Sequence, residues 1–197
     1  MLRADEVVET GLVRALANAK TAQPAAWYVA RMQRTSPATL EALVRAAGDS
    51  MLREPVEQYA AREPRAWDTL VATLPALRGV PRGRALYALA AVKLDDAQRL
   101  QLIREIRAAL TKTDAAAVAA AEIAGVLGRG VPELDEQLAA ILDRDVDEEL
   151  RHNVVLGLVN LHVPKRAPSS TVRARLQREA KRSSEAGRLA SWFVEAF

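Results

Sequence analysis

Apolar residues recur along this chain at helical spacing, in stripes separated by short polar turns. Val8, Leu12, Ala15 and Leu16 fall at i, i+4, i+7 and i+8 of a first helix predicted to start at Asp5. A second helix begins near Pro24 and carries Trp27 and Tyr28. Ser36 followed by Pro37 reads as an N-cap with proline in the first turn, and Leu40, Leu43, Val44 and Ala47 form the next stripe, which Gly48 ends. A short helix with Val56, Tyr59 and Ala60 closes that pair. The alternation then continues with clearer phasing. Trp67, Leu70, Leu74 and Leu77 lead into a helix over 84–94, and Leu102, Ile103, Ile106 and Leu110 into one over 114–127. Leu134, Leu138, Ile141 and Leu142 lead into 148–161, and a helix over 172–182 leads into 185–197. Pro75 falls inside a leading helix, which predicts a kink and a carbonyl deprived of its usual partner.

The trailing helices resemble one another. GRALYALAAVKL begins at Gly83, AVAAAEIAGVLG at Ala117, LRHNVVLGLVNL at Leu150 and GRLASWFVEAF at Gly187. With Arg84, Val118, Arg151 and Arg188 taken as equivalent, the intervals are 34, 33 and 37 residues, the period of a stacked two-helix repeat. The expected fold is therefore all-α, an α-solenoid of about six stacked antiparallel helical hairpins in one domain over 1–197. Its hairpins are irregular over 1–63, best formed over 64–161, and basic at the C-terminal hairpin over 162–197. Each hairpin has an apolar face that it cannot bury alone, so neighbours must stack.

Over residues 64–197 these features resemble the HEAT repeat, in particular the short bacterial kind of phycobilisome-lyase-like proteins. Asp143, Asp145, Leu150 and Arg151 match its Asp-containing turn and apolar-Arg pair; Ala119 to Ala121 and Leu127-Gly128 match its Ala-rich helix ending. Arg84 and Arg188 also match. The resemblance implies a buried Asp-Arg ladder between neighbouring hairpins, broken where Val118 replaces the arginine. It also implies that trailing helices line a concave binding surface, which makes the side chains around Arg84, Tyr87, Arg151 and Asn160 candidates for contact with a protein partner. The two arginines are equally explained as ladder residues, and Tyr87 and Asn160 as structural ones.

Half of the 197 residues are apolar, mostly Ala, Leu and Val, and only 4% are aromatic, which suits closely approaching helices. With no cysteine there are no disulfides, thiolate metal sites or Cys nucleophiles. The start MLRADEVVET lacks the apolar stretch of a signal peptide, and the run 115–128 is interrupted at Glu122, so a soluble cytoplasmic protein with no membrane contact is expected. The Ala and Arg richness fits a GC-rich bacterial genome. Net charge is +3, but residues 162–197 hold eight Lys/Arg against three Asp/Glu while the first 161 hold 20 against 22.

That basic segment is the main chemical signal. Arg175, Arg178 and Arg182 stand at i, i+3 and i+7, away from the apolar line of Val172, Leu176 and Ala180, with Lys165, Arg166, Lys181 and Arg188 nearby. Such a stripe tracks phosphates without reading bases, or is a solvated face, or meets an acidic protein. The last helix ends in Trp192, Phe193, Val194 and Phe197, an apolar stripe that either folds over its neighbour or mediates self-association. The two histidines, His152 and His162, are too far apart on a straight helix to share an ion, and no cofactor motif is present. Acidic pairs such as Asp95-Asp96 and Glu148-Glu149 fall at helix starts, where the macrodipole favours them. HEAT-like alkylated-base glycosylases place an aspartate one turn beyond a tryptophan; here that position after Trp67 is Val71, and Asp68 points about 100° away. A glycosylase or a bilin lyase would rest on fold analogy alone. The expectation is a non-catalytic protein-protein interaction scaffold, with sequence-independent nucleic-acid binding as the alternative.

Overall fold

In a computed structural model, residues 6–32, 36–129, 131–162 and 167–196 are described. Among them there are twelve α-helices and no strand, so the fold is all-α. They divide between Asp95 and Asp96 into two compact units. The predicted start at Asp5, and Lys165, Arg166 and Phe197, lie outside the described residues.

The first unit contains α1 (Glu6–Leu16), α2 (Ala22–Arg31), α3 (Pro37–Val44), α4 (Arg53–Ala60), α5 (Ala66–Thr73) and α6 (Gly79–Ala91). Helix α3 packs on α1 and α5, while α4 packs on α2 and α6, so leading and trailing helices form two layers. Leu16, Val29, Leu40, Leu43, Val56, Leu70, Leu86 and Leu89 are fully buried between them. The stripe of α1 is only partly used: Leu16 is buried but Val8 is 52% exposed, because α1 has neighbours on one side only. Ser36 and Pro37 occupy the N-cap and first turn of α3 as expected, yet the Ser36 side chain does not cap its own helix. Instead the Glu9 carboxylate of α1 accepts from the Ser36 amide (2.7 Å), the Ser36 hydroxyl (2.5 Å) and the Thr39 hydroxyl. Burial pushes the Glu9 carboxyl up, but those bonds outweigh it and hold the pKa below the ordinary carboxylate value.

The kink expected at Pro75 is a change of helix type. The α-helix stops at Thr73 and one 3-10 turn, Leu74–Ala76, carries the proline. Guanidinium groups satisfy the carbonyls there: Arg78 donates to those of Pro75 (2.6 Å) and Leu77 (2.7 Å), and Arg82 to that of Leu74 (3.1 Å).

The second unit contains α7 (Asp96–Ala109), α8 (Ala115–Leu127), α9 (Pro132–Ile141), α10 (Glu148–His162), α11 (Ser170–Glu179) and α12 (Glu185–Ala196). Helix α10 packs between α8 and α12, and α11 packs on α9 and α12. Asp114 caps α8 by accepting from the Ala116 (3.1 Å) and Ala117 (3.3 Å) amides. Residues 116–121 of α8 are all buried. Small side chains let α8 and α10 approach almost backbone to backbone. A Cβ added at Gly125 would lie 2.9 Å from the Gly157 Cα, and one at Gly157 would lie 2.5 Å from the Ala121 carbonyl oxygen. This contact carries the Ala-rich part of the repeat.

Candidate interaction surface

The four residues expected around a concave surface divide sharply. Arg84 on α6 is fully buried. Its Nε and Nη2 donate to the Ser50 carbonyl (2.9 and 2.5 Å), its Nη1 to Val44 (3.2 Å) and Ala46 (2.5 Å), and its Nη2 also to Gly48 (2.8 Å). Alternate carbonyls of the loop between α3 and α4 thus converge on one guanidinium. Two residues with positive φ, Gly48 (87°) and Leu52 (46°), bend the loop around it. Leu52 accepts that strained conformation while its side chain is buried. Burial lowers the Arg84 pKa, and Asp49 acts against that shift. Tyr87 is also buried, with the Arg53 guanidinium 4.9 Å from its ring centroid. Neither residue presents a surface, because both are part of the interior of the first unit.

Arg151 on α10 is buried as well. It donates to the Leu142 (3.1 Å) and Arg144 (3.0 Å) carbonyls and to Glu179 Oε2 on α11 (2.8 Å). Its partners are not the Asp143 or Asp145 that the repeat resemblance suggests. Val118 is buried at the equivalent place on α8, and the loop before α8 is held from elsewhere: Arg144 donates to the Leu110 (3.1 Å), Thr111 (3.3 Å) and Lys112 (3.2 Å) carbonyls. Arg188, the last equivalent, is exposed.

The arginine stripe of α11 already faces carboxylates. Arg175 Nε lies 2.6 Å from Asp143 Oδ2 and its Nη1 3.5 Å from Glu136 Oε2; Arg178 Nη2 lies 2.6 Å from Asp143 Oδ1. Arg182 Nε is 3.3 Å from Glu179 Oε1, so the buried Glu179 stands between Arg182 and Arg151. Arg175 and Arg178 hold α11 to α9 and its loop, while Arg182 pairs back onto the last residue of α11. Periodicity along α11 cannot reveal this, since the Asp143 and Glu136 partners lie 32 to 39 residues away in sequence.

The hydrogen bond from Arg175, together with that from Arg178, outweighs burial and holds the Asp143 carboxyl below the ordinary carboxylate value. A depressed folded-state pKa contributes stability above the unfolded value of about 4 and loses it as pH falls through the folded value. Asp143→Asn is therefore expected to melt below wild type at neutral pH, with the gap closing under acid; thermal melts from neutral to acidic pH check this. A gap that stays constant would show that the pairing contributes nothing pH-dependent.

Asn160 is the one predicted contact residue that reaches a surface. It is half-buried on α10, and its carbonyl accepts from Arg129 Nε at 3.3 Å. Around it, the trailing helices of the second unit expose an apolar row of which the sequence analysis singled out only Trp192. The close contact sets residues 121–125 of α8 beside 157–160 of α10. The Ala186 amide donates to Glu148 Oε1 (3.2 Å), which sets the start of α12 beside the start of α10. Helical stepping from these registers puts Leu156 level with Glu122 on α8 and with about residue 194 on α12, just beyond Trp192, and puts Val126 level with Asn160. Trp192 is 56% and Val126 65% exposed, and Leu156 and Leu189 are half-buried. The apolar C-terminal stripe thus divides: Phe193 is buried, 6.0 Å from the His162 ring, while Trp192 faces out. His162 in turn lies 3.6 Å from Asp135, inside the unit. Trp67 and Val71 are half-buried and Asp68 is exposed on α5.

No helix among the described residues is long and apolar enough to cross a membrane, and no cluster of His, Cys, Asp or Glu among them is arranged to hold a metal ion. Compared with protein-family models, curated proteins and solved structures, the chain finds no match.

Proposed function

We propose that this chain is a non-catalytic, HEAT-like α-solenoid whose trailing helices dock a protein partner. Helix pairs packed into leading and trailing layers within each unit support the solenoid reading. The observation that carries the docking reading is the row of the exposed Val126 and Trp192 and the half-buried Leu156 on neighbouring trailing helices, whereas Leu100, the other strongly exposed large apolar residue of the unit, stands on the leading helix α7. Exposed tryptophan on a rigid helix is the kind of anchor that dominates interfaces. The buried arginines Arg84 and Arg151 support a structural part for the polar residues of the repeat, since each ties a loop or a helix in place. Arg175, Arg178 and Arg182 are less suited to phosphate than an unpaired stripe, because a polyanion would have to displace carboxylates at 2.6 to 3.5 Å.

Two measurements test this. A photo-crosslinking residue placed at Trp192 or Leu156 in cells is expected to give adducts of discrete mass, and one at Arg104 on α7 none. Fluorescence anisotropy with labelled single- and double-stranded oligonucleotides at two salt concentrations is expected to show no difference between wild type and a variant with Arg175, Arg178 and Arg182 changed to Glu. Salt-sensitive binding that disappears in that variant would assign the protein to nucleic acid instead.

A further inference from the structure

The ionisable side chains around the apolar row are mostly acidic. Glu149 and Glu185 are exposed in the first turns of α10 and α12, with Glu148 beside them; Glu195 is exposed one turn beyond Trp192, and Glu122 is half-buried one turn before Val126. Against these five carboxylates stand three arginines: Arg129, which already donates to the Asn160 carbonyl, Arg188, and Arg182, whose charge acts on Glu148. His152, half-buried on α10, adds a charge only when protonated. The leading helices balance: α7, α9 and α11 together carry six arginines against Asp96, Glu105, Glu133, Asp135, Glu136 and the buried Glu179. The excess of negative charge in the second unit therefore lies on the trailing side, where Val126 and Trp192 are exposed.

Resting on the docking reading above, the geometry points to a cationic amphipathic helix of another protein as the occupant of this surface. Its apolar stripe lies against Val126, Leu156, Leu189 and Trp192, and its Lys and Arg residues face Glu149 and Glu185 at one end and Glu195 beside the tryptophan. Complementary charge steers and orients such a helix, while the apolar row supplies the burial. A polyanion meets repulsion from the same carboxylates. The exposed sites at the starts of α10 and α12 accept substitution without disturbing the interior, since their side chains project into solvent.

Three fluorescein-labelled helical peptides sharing one Leu/Ala stripe, flanked by Lys, Gln or Glu, test this by anisotropy with the full chain. The Lys peptide is expected to bind about tenfold more tightly than the Gln peptide, with the Glu peptide weaker still and the differences shrinking at high salt. The double variant Glu149→Lys, Glu185→Lys is expected to reverse that order, and Trp192→Ala to weaken the Lys peptide about tenfold. Equal binding of all three peptides, still dependent on Trp192, would overturn the charge inference and leave the docking reading in place. No Trp192-dependent binding by any peptide would overturn both. A dimer seen by light scattering that Trp192→Ala dissolves would assign the row to a second copy and overturn the cationic partner.

Discussion

Arg84→Ala is expected to lower the unfolding free energy by about 3–5 kcal/mol, the range seen when one member of a buried charged network is removed. The guanidinium is wholly buried and receives the carbonyls of Val44, Ala46, Gly48 and Ser50. Without it the buried carbonyls of Val44 and Ala46 face a cavity, each costing about 1–3 kcal/mol if left unsatisfied, while those of Gly48 and Ser50 lie at exposed residues that water can reach. Arg84→Lys is expected to recover only a small part, because an ammonium cannot reproduce a planar fork that reaches both sides of the loop. Urea denaturation of both variants checks this, read against Arg188→Ala, which changes an exposed arginine at the equivalent repeat position. If Arg84→Lys matched wild type, charge alone and not the fork would hold the loop.

Gly157→Ala is expected to be nearly as damaging, at about 2–4 kcal/mol, although alanine is the better helix former by about 1 kcal/mol. Sterics win because the new Cβ would sit 2.5 Å from the Ala121 carbonyl oxygen, and backbone cannot swing aside as a side chain does. Helices α8 and α10 would have to separate, loosening contacts along both. Gly11 provides the contrasting case: it lies in α1 with nothing within 4 Å of an added Cβ, so Gly11→Ala is expected to raise stability by about 0.5–1 kcal/mol. Thermal melts of the two variants should move in opposite directions. Movement in the same direction would mean that helix propensity, and not the close approach, sets the outcome.

Helix existence was largely legible because amphipathic spacing is a local property: the stripes read from the sequence for α7 and for α9 and its end are buried, except for the half-buried Leu142. Of the four positions aligned in the sequence, Arg84, Val118 and Arg151 are buried and Arg188 is exposed. Repeat alignment could not say what each arginine would hold, since that depends on partners brought together by packing. Arg84 binds loop carbonyls, Arg151 binds Glu179, and the loop before α8 is held by Arg144 from outside the repeat position. The α11 stripe looked like free basic charge for the same reason. Of the apolar row only Trp192 was picked out, because Val126 and Leu156 lie among other apolar residues of their helices, where composition hides which one faces out.

The Glu9 carboxylate gives the first helix an unusual place in the order of events when this protein opens. A helix with few packing partners ordinarily frays alone. Here the acceptor for the amide end of α3 belongs to α1, so peeling α1 away also strips the cap from the next hairpin. Detachment and fraying become one cooperative event, and amide hydrogens at the start of α3 exchange only as fast as α1 lets go.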